Sequence, residues 1–255
     1  MLTKEYILEC LDKYCTFDGI TSDTFYEMVI CPLKSNQCFN NWTWDNGVSK
    51  GVLIFKELDY VIKIPFEGQG EYNESHYEDE DGNWVWEEDS RWNSDLIKVH
   101  SEELFDEFCG AIYGNEEDSR WNYCAVEAFL SNLAKNTGLE KCFAITECIG
   151  EADGHPIYAQ EKCCMFSEAS STTNREKYRN RSKTDYDSLK EVRESVDFWG
   201  IDDDWVLDFL IYWGEEIFKK FVDFIFEYGI SDLHNGNIGY RKGIPCLVDY
   251  SGYDG

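Results

Sequence analysis

The sequence predicts an α+β protein, and three observations carry that expectation. Two pairs of β-type runs are each joined by a short polar turn: VLIF (52–55) with YVIKIPF (60–66) across KELD, and CFAITECIG (142–150) with PIYAQEKC (156–163) across EADGH. Helical stripes stand outside those pairs, the strongest over 202–228, where Val206, Leu210, Trp213, Ile217, Phe221 and Phe224 keep the helical period. Composition supplies the core: 43% of the 255 residues are hydrophobic and 16% aromatic. That length suits one large domain or two small lobes, with no need of disulfide or metal staples.

In chain order, residues 4–15 place Tyr6, Ile7, Leu11 and Tyr14 at the spacing of a short amphipathic helix. From Thr43 to Phe66 the text turns β-like, with NGVSKGV (46–52) reading as a glycine-bearing turn ahead of the first strand pair. Between Glu67 and Asp118 acidic residues dominate around Trp84, Trp86 and Trp92, and the basic residues are Arg91 and Lys98. This stretch reads as an acidic insertion, about 67–119, packed down by its tryptophans. EEDSRWN occurs in it twice, at 87–93 and 116–122, which is too little for a solenoid. Both copies suit helix starts, because Asp and Ser oxygens accept the free N–H groups there. The second copy leads into a helix with Ala125, Phe129, Leu130 and Leu133 on one stripe, Glu127 beside them, and Gly138 at its end. Residues 167–190 are polar and locally basic, predicting an exposed loop. The helix over 202–228 starts at Asp202, Asp203 and Asp204, acids at the positive end of its dipole, and closes at Gly229.

Net charge is −28, which repels nucleic-acid backbones and anionic membranes, so direct binding of either is not expected. The same charge can imitate nucleic acid toward a basic protein partner. The eleven cysteines contain no CxxC pair, an irregular set that reads as reduced thiols. The start, MLTKEYILECLDKYC, carries acids inside what a signal core would need apolar, and eighteen apolar residues never run together. A cytoplasmic protein is expected.

Directly after the long helix stands ISDLHNGNIGY (230–240), and past a short turn comes IPCLVDY (244–250). Asp232, Asn237 five residues later, and Asp249 after an apolar strand resemble the catalytic loop and metal-binding aspartate of the protein-kinase-like fold. The spelling DLHNGN is similar to the loops of aminoglycoside- and choline-kinase-like phosphotransferases. The resemblance implies Asp232 as catalytic base, Asn237 and Asp249 as Mg2+ ligands, and His234 and Gly236 as loop-shaping residues. Phosphoryl transfer needs such a set: a carboxylate to receive the acceptor's proton and a metal to neutralise phosphate charge.

Upstream residues agree with the family's order. Lys63 on the strand YVIKIPF is placed to grip ATP phosphates, and Glu127 on the following helix is its natural partner. Gly47, Ser49 and Gly51 would form the turn covering the phosphates, and Glu161, Lys162 and Cys163 the connector whose backbone meets adenine. The resemblance implies two lobes. Residues 1–162 make an N-lobe of antiparallel sheet plus helix, with a helical extension over 1–42, and 163–255 a minimal helical C-lobe. Departures exist: Ile230 stands where many kinases have His, and Ser251 where protein kinases have Gly, although Gly252 follows. With the sequence ending at Gly255, a minimal lobe with neither an activation segment nor a helical substrate platform is expected.

The expected function is therefore an ATP-dependent phosphotransferase using Mg2+, its acceptor a small molecule or protein that the sequence does not identify. Two alternatives stand beside it. One is a catalytically silent nucleotide-binding or pseudokinase module acting through partners; the other is an acidic decoy that occupies a basic protein.

Overall fold

The computed structural model describes residues 2–47, 49–66, 123–166, 201–228, 230 and 233–250, and the backbone of 75–78 and 84–87. The EEDSRWN segments past Glu87, residues 167–190, Asp232, Gly229, Ser251 and Gly252 lie outside the described residues. The fold is α+β, as the paired strand runs and separate helical stripes predict.

Helix α1 (Lys4–Tyr14) starts where the Thr3 side chain accepts from the Tyr6 N–H, with Glu5 in its first turn and Lys13 in its last, both complementing the helix dipole. A π turn (Tyr26–Ile30) runs straight into the short helix α2 (Cys31–Ser35). The sequence carries no periodic pattern there that marks either element. Strands β1 (Trp42–Asn46), β2 (Lys50–Phe55) and β3 (Tyr60–Pro65) follow. Within the acidic insertion, β4 (Ser75–Glu78) pairs with β5 (Trp84–Glu87) as a separate antiparallel hairpin. Helix α3 (Tyr123–Thr137) ends at Gly138, whose φ of +77° suits glycine. Strands β6 (Thr146–Ala152) and β7 (His155–Glu161) complete a five-stranded antiparallel sheet in the order β1-β2-β3-β7-β6.

Alternation of side chains gives this sheet two different faces. Leu53, Phe55, Ile62, Ile64, Ile157 and Ala159 pack with Ile7, Leu11, Val29, Ile30 and Leu33, so α1, the π turn and α2 cover one face. Lys63, Gln160 and Thr146 are buried on the other, against α3. Because β3 is covered on both faces, its run reads as nearly continuous apolar text with a single lysine in it.

A second core forms around Phe143, Trp205, Phe209, Phe218, Phe221 and Phe224. It joins α3 to α4 (Asp203–Trp213), α5 (Glu215–Glu227) and the small sheet β10-β9-β8, with β8 (Cys164–Met165), β9 (Ile238–Arg241) and β10 (Ile244–Leu247). The single helix expected over 202–228 is two helices, broken at Gly214 with φ +79° and ψ 165°. The apolar period survives the break because both helices turn their apolar sides to the same core. Trp205 Nε1 donates to the Gly239 carbonyl (3.1 Å) and the Tyr240 hydroxyl to Asp208 Oδ2 (2.6 Å), tying α4 to β9. All ten described cysteines are free. No described helix is long and apolar enough to cross a membrane.

One glycine is dictated by packing. A Cβ at Gly51 would lie 2.3 Å from a ring carbon of Phe25, a buried side chain of the covered face. Gly51→Ala is expected to lower stability by about 1–3 kcal/mol through overpacking, read from urea unfolding midpoints, and Phe25→Leu in the same chain to recover part of it.

Candidate functional site

Four charges meet between the sheet and α3. Lys63 projects from β3 with only 4% of its surface exposed, and Glu127 projects from α3 with none. The Lys63 ammonium donates to both Glu127 carboxylate oxygens, at 2.8 and 2.7 Å. A second ammonium, that of Lys50 at the start of β2, donates to Glu127 Oε1 (2.7 Å) and to Asp249 Oδ1 (2.8 Å). Two cations thus face two anions. A buried carboxylate needs such neutralisation, since burial of an unpaired charge costs several kcal/mol.

Neutral donors finish the carboxylate. The Thr146 hydroxyl donates to Glu127 Oε2 (3.1 Å), and Gln160 Nε2 lies 3.3 Å from the same oxygen. Gln160 Nε2 also donates to the Thr146 hydroxyl (2.9 Å) and the Val248 carbonyl (2.7 Å), so one amide links β6, β7 and the segment bearing Asp249.

Asp249 follows β10 and is anchored on both sides. The N–H groups of Val248 and Asp249 donate to the Asn237 carbonyl at 2.7 and 3.2 Å. The buried Tyr250 hydroxyl donates to the Ala144 carbonyl (2.8 Å) and lies 2.5 Å from Ser131 Oγ of α3. Asn237 itself is buried at 7% exposure, and its N–H donates to the His234 carbonyl (2.9 Å). Asn235 Oδ1 accepts from the Asp202 N–H (2.7 Å), so the 233–237 loop is pinned to the start of α4.

Electrostatics follow from this packing. Burial opposes charge on Asp249, but the ammoniums of Lys50 and Lys63 outweigh it and hold the carboxyl well below the usual carboxylate range. Burial likewise works against a charged Lys50, yet Asp249 and then Glu127 hold it above the ordinary lysine value. Burial and Glu127 push the neighbouring Cys124 thiol up to about 12, so it stays neutral beside the carboxylate. The Tyr250 phenol is also pushed up, by burial and by Glu127.

The residues singled out from sequence land in three places. Lys63, Glu127 and Asp249 share the charge network, with Asn237 bonded through its backbone to the last. Gly47 is exposed in the β1–β2 turn and donates its N–H to the Lys50 carbonyl (3.0 Å), while Ser49 accepts from the Phe66 N–H through its carbonyl (2.9 Å). Gly51 faces Phe25, on the side of the sheet away from Lys63. In the connector, the N–H groups of Glu161 and Lys162 are taken by the carbonyls of Ile145 (3.0 Å) and Asp59 (2.8 Å). The Glu161 carboxylate pairs with Arg241, and Cys163 Sγ lies 3.6 Å from Cys246 Sγ. Sequence reasoning missed Lys50, Thr146, Gln160, Ser131 and Tyr250. For Lys50 a signal existed: a register pairing Val52 with Lys63 puts Lys50 on the lysine face of the neighbouring strand.

A cavity of about 310 Å³ borders the network at Gln160 and is lined by Lys4, Tyr60, Glu161, Lys162 and Arg241 among others, with none of the four network charges in its wall. Compared with protein families, characterised proteins and solved structures, the chain gives no significant match.

Two expectations follow from the network. Glu127→Gln leaves two buried ammoniums facing a neutral amide and should destabilise the protein by about 3–5 kcal/mol, measured by urea unfolding. The pH dependence has a definite sign. Asp249, with its lowered value, contributes stability that is present above the unfolded carboxylate value of about 3.9 and lost as pH falls below it. Lys50, with its raised value, contributes stability that is present below about 10.4 and lost only as pH rises beyond it. Asp249→Asn should therefore flatten the acid limb of a stability–pH curve below about pH 4 relative to wild type. Parallel curves there would contradict the pairing.

Proposed function

We propose that the chain is an ATP-dependent phosphotransferase of protein-kinase-like fold that works with Mg2+, on an acceptor still to be identified. The observation that carries this reading is the Lys63–Glu127 pair, a strand lysine held by a fully buried helix glutamate, joined to Asp249 in one network. Element order supports it. Helix α3 enters between β3 and β6, the sheet runs β1-β2-β3-β7-β6, and the β9–β10 hairpin delivers Asp249 beside the Asn237 backbone.

The donors suit the metal. The Asp249 side chain keeps 30% of its surface exposed and its carboxylate ionised, and the Asn237 amide supplies a second hard oxygen of the kind Mg2+ prefers. Mg2+, when bound, would neutralise developing phosphate charge. In this reading Lys63 holds the nucleotide phosphates, and Glu127 keeps the Lys63 ammonium at one point with two hydrogen bonds. Asp232 orients the acceptor hydroxyl and takes its proton, and the connector 161–163 meets the base. Removal of water around the buried pair would strengthen each of these interactions.

A second reading, nucleotide binding without transfer, is favoured by a specific contact: Lys50 already sits on the carboxylate that the metal would use. Calorimetric titration of Mg-ATP into wild type and Asp249→Asn, with ATP hydrolysis measured on the same preparations, separates the two. Transfer predicts metal-dependent binding and turnover in wild type, with turnover reduced about a hundredfold or more in the variant. Binding without turnover selects the second reading, and no binding of nucleotide overturns both.

A further inference from the structure

We infer that Lys50 is an exchangeable phosphate-binding cation, which holds Asp249 while the site is free of nucleotide and moves to the phosphate chain when metal and nucleotide enter together. The inference rests on the nucleotide reading above and adds a residue and an order of events to it.

The two lysines are held by different sets of acids. Lys63 donates to both oxygens of Glu127, whereas Lys50 shares one of those oxygens and spans to Asp249. Lys63 is thus locked to the helix glutamate, and Lys50 bridges that lock to the metal-bearing carboxylate. Lys50 also stands at the first position of β2, immediately past the exposed turn at Gly47 whose N–H bonds its carbonyl. Its four-carbon stem ends in a compact charge with three donors, which can leave one anion for another without displacing the strand.

Charge counting gives the direction. Among the described residues, Lys50 and Lys63 balance Glu127 and Asp249. A divalent ion arriving alone at Asp249 would meet the Lys50 ammonium within a few ångströms and leave the site over-charged. The anionic phosphates of a nucleotide remove that excess and offer Lys50 new acceptors, so metal and nucleotide enter favourably as a pair. Lys50 therefore acts against metal alone and for metal with nucleotide. Deleting the ammonium removes a repulsion from the metal and an attraction from the phosphates, so the two affinities change in opposite directions.

The test uses the full chain as wild type, Lys50→Met, Lys50→Arg and Asp249→Asn, with Mn2+ alone and then Mn-ATP titrated calorimetrically, each variant first shown to be folded by circular dichroism. Lys50→Met is expected to bind Mn2+ alone about tenfold more tightly than wild type and Mn-ATP about tenfold more weakly, within the range usual for coupled sites. Lys50→Arg should keep the wild-type pattern, and Asp249→Asn should lose Mn2+ binding. If Lys50→Met leaves both affinities unchanged while Asp249→Asn still abolishes the metal, the inference is wrong and the metal assignment stands. If wild type binds neither Mn2+ nor ATP under any condition, the nucleotide reading fails and takes the inference with it.

Discussion

Glu127 has no contact with solvent and carries a carboxylate that must be neutralised from inside the fold. That requirement organises its surroundings more than any single apolar contact does. Lys63 and Lys50 are diagonal neighbours on adjacent strands, a placement that would repel if both ammoniums faced open water or each other. The glutamate between them turns the repulsion into a clamp. Its position in turn fixes where α3 can lie on the sheet, because a helix shifted by one turn would take from the buried Lys63 the carboxylate that holds it and from Lys50 one of its two acids.

The same economy of partners extends to the neutral side chains around the site. Thr146, Gln160, Ser131 and Tyr250 each bond to more than one element, so strands β6 and β7, α3 and the Asp249 segment are held in a common hydrogen-bonded layer. Buried polar networks are favourable only when their members are satisfied. The two apolar cores lie on either side of this layer, one built on α1 and the covered face of the sheet, the other on α3, α4 and α5. Charge sits at their junction.

Much of this could be read from the chain, and the reasons differ by residue. Lys63 stood out because β3 is covered on both faces, leaving a lone lysine in apolar text. Glu127 and Asp249 stood out through the resemblance to kinase-like motif order, the one on the helix after the lysine strand and the other ending the apolar strand after DLHNGN. Lys50 was hidden between two glycines in a segment that reads locally as a turn, and only the register with β3 reveals its face. Thr146 and Gln160 look like ordinary polar positions of half-exposed strands until α3 is placed over them. The break at Gly214 was masked by an apolar period that continues through it, and the π turn at 26–30 has no periodicity that local pattern could detect. Asp232 remains an inference from the motif alone.

The Lys50–Asp249 contact joins residues 199 positions apart. Contacts of such separation form late, since a long loop must close before they return any stabilisation. During synthesis from the N-terminus, β2, β3 and α3 all leave the ribosome before the aspartate is made, so the nascent fold carries a local surplus of positive charge inside an otherwise acidic chain. That surplus is one charge once Glu127 is in place, and it is cancelled only when Asp249 docks beside Lys50.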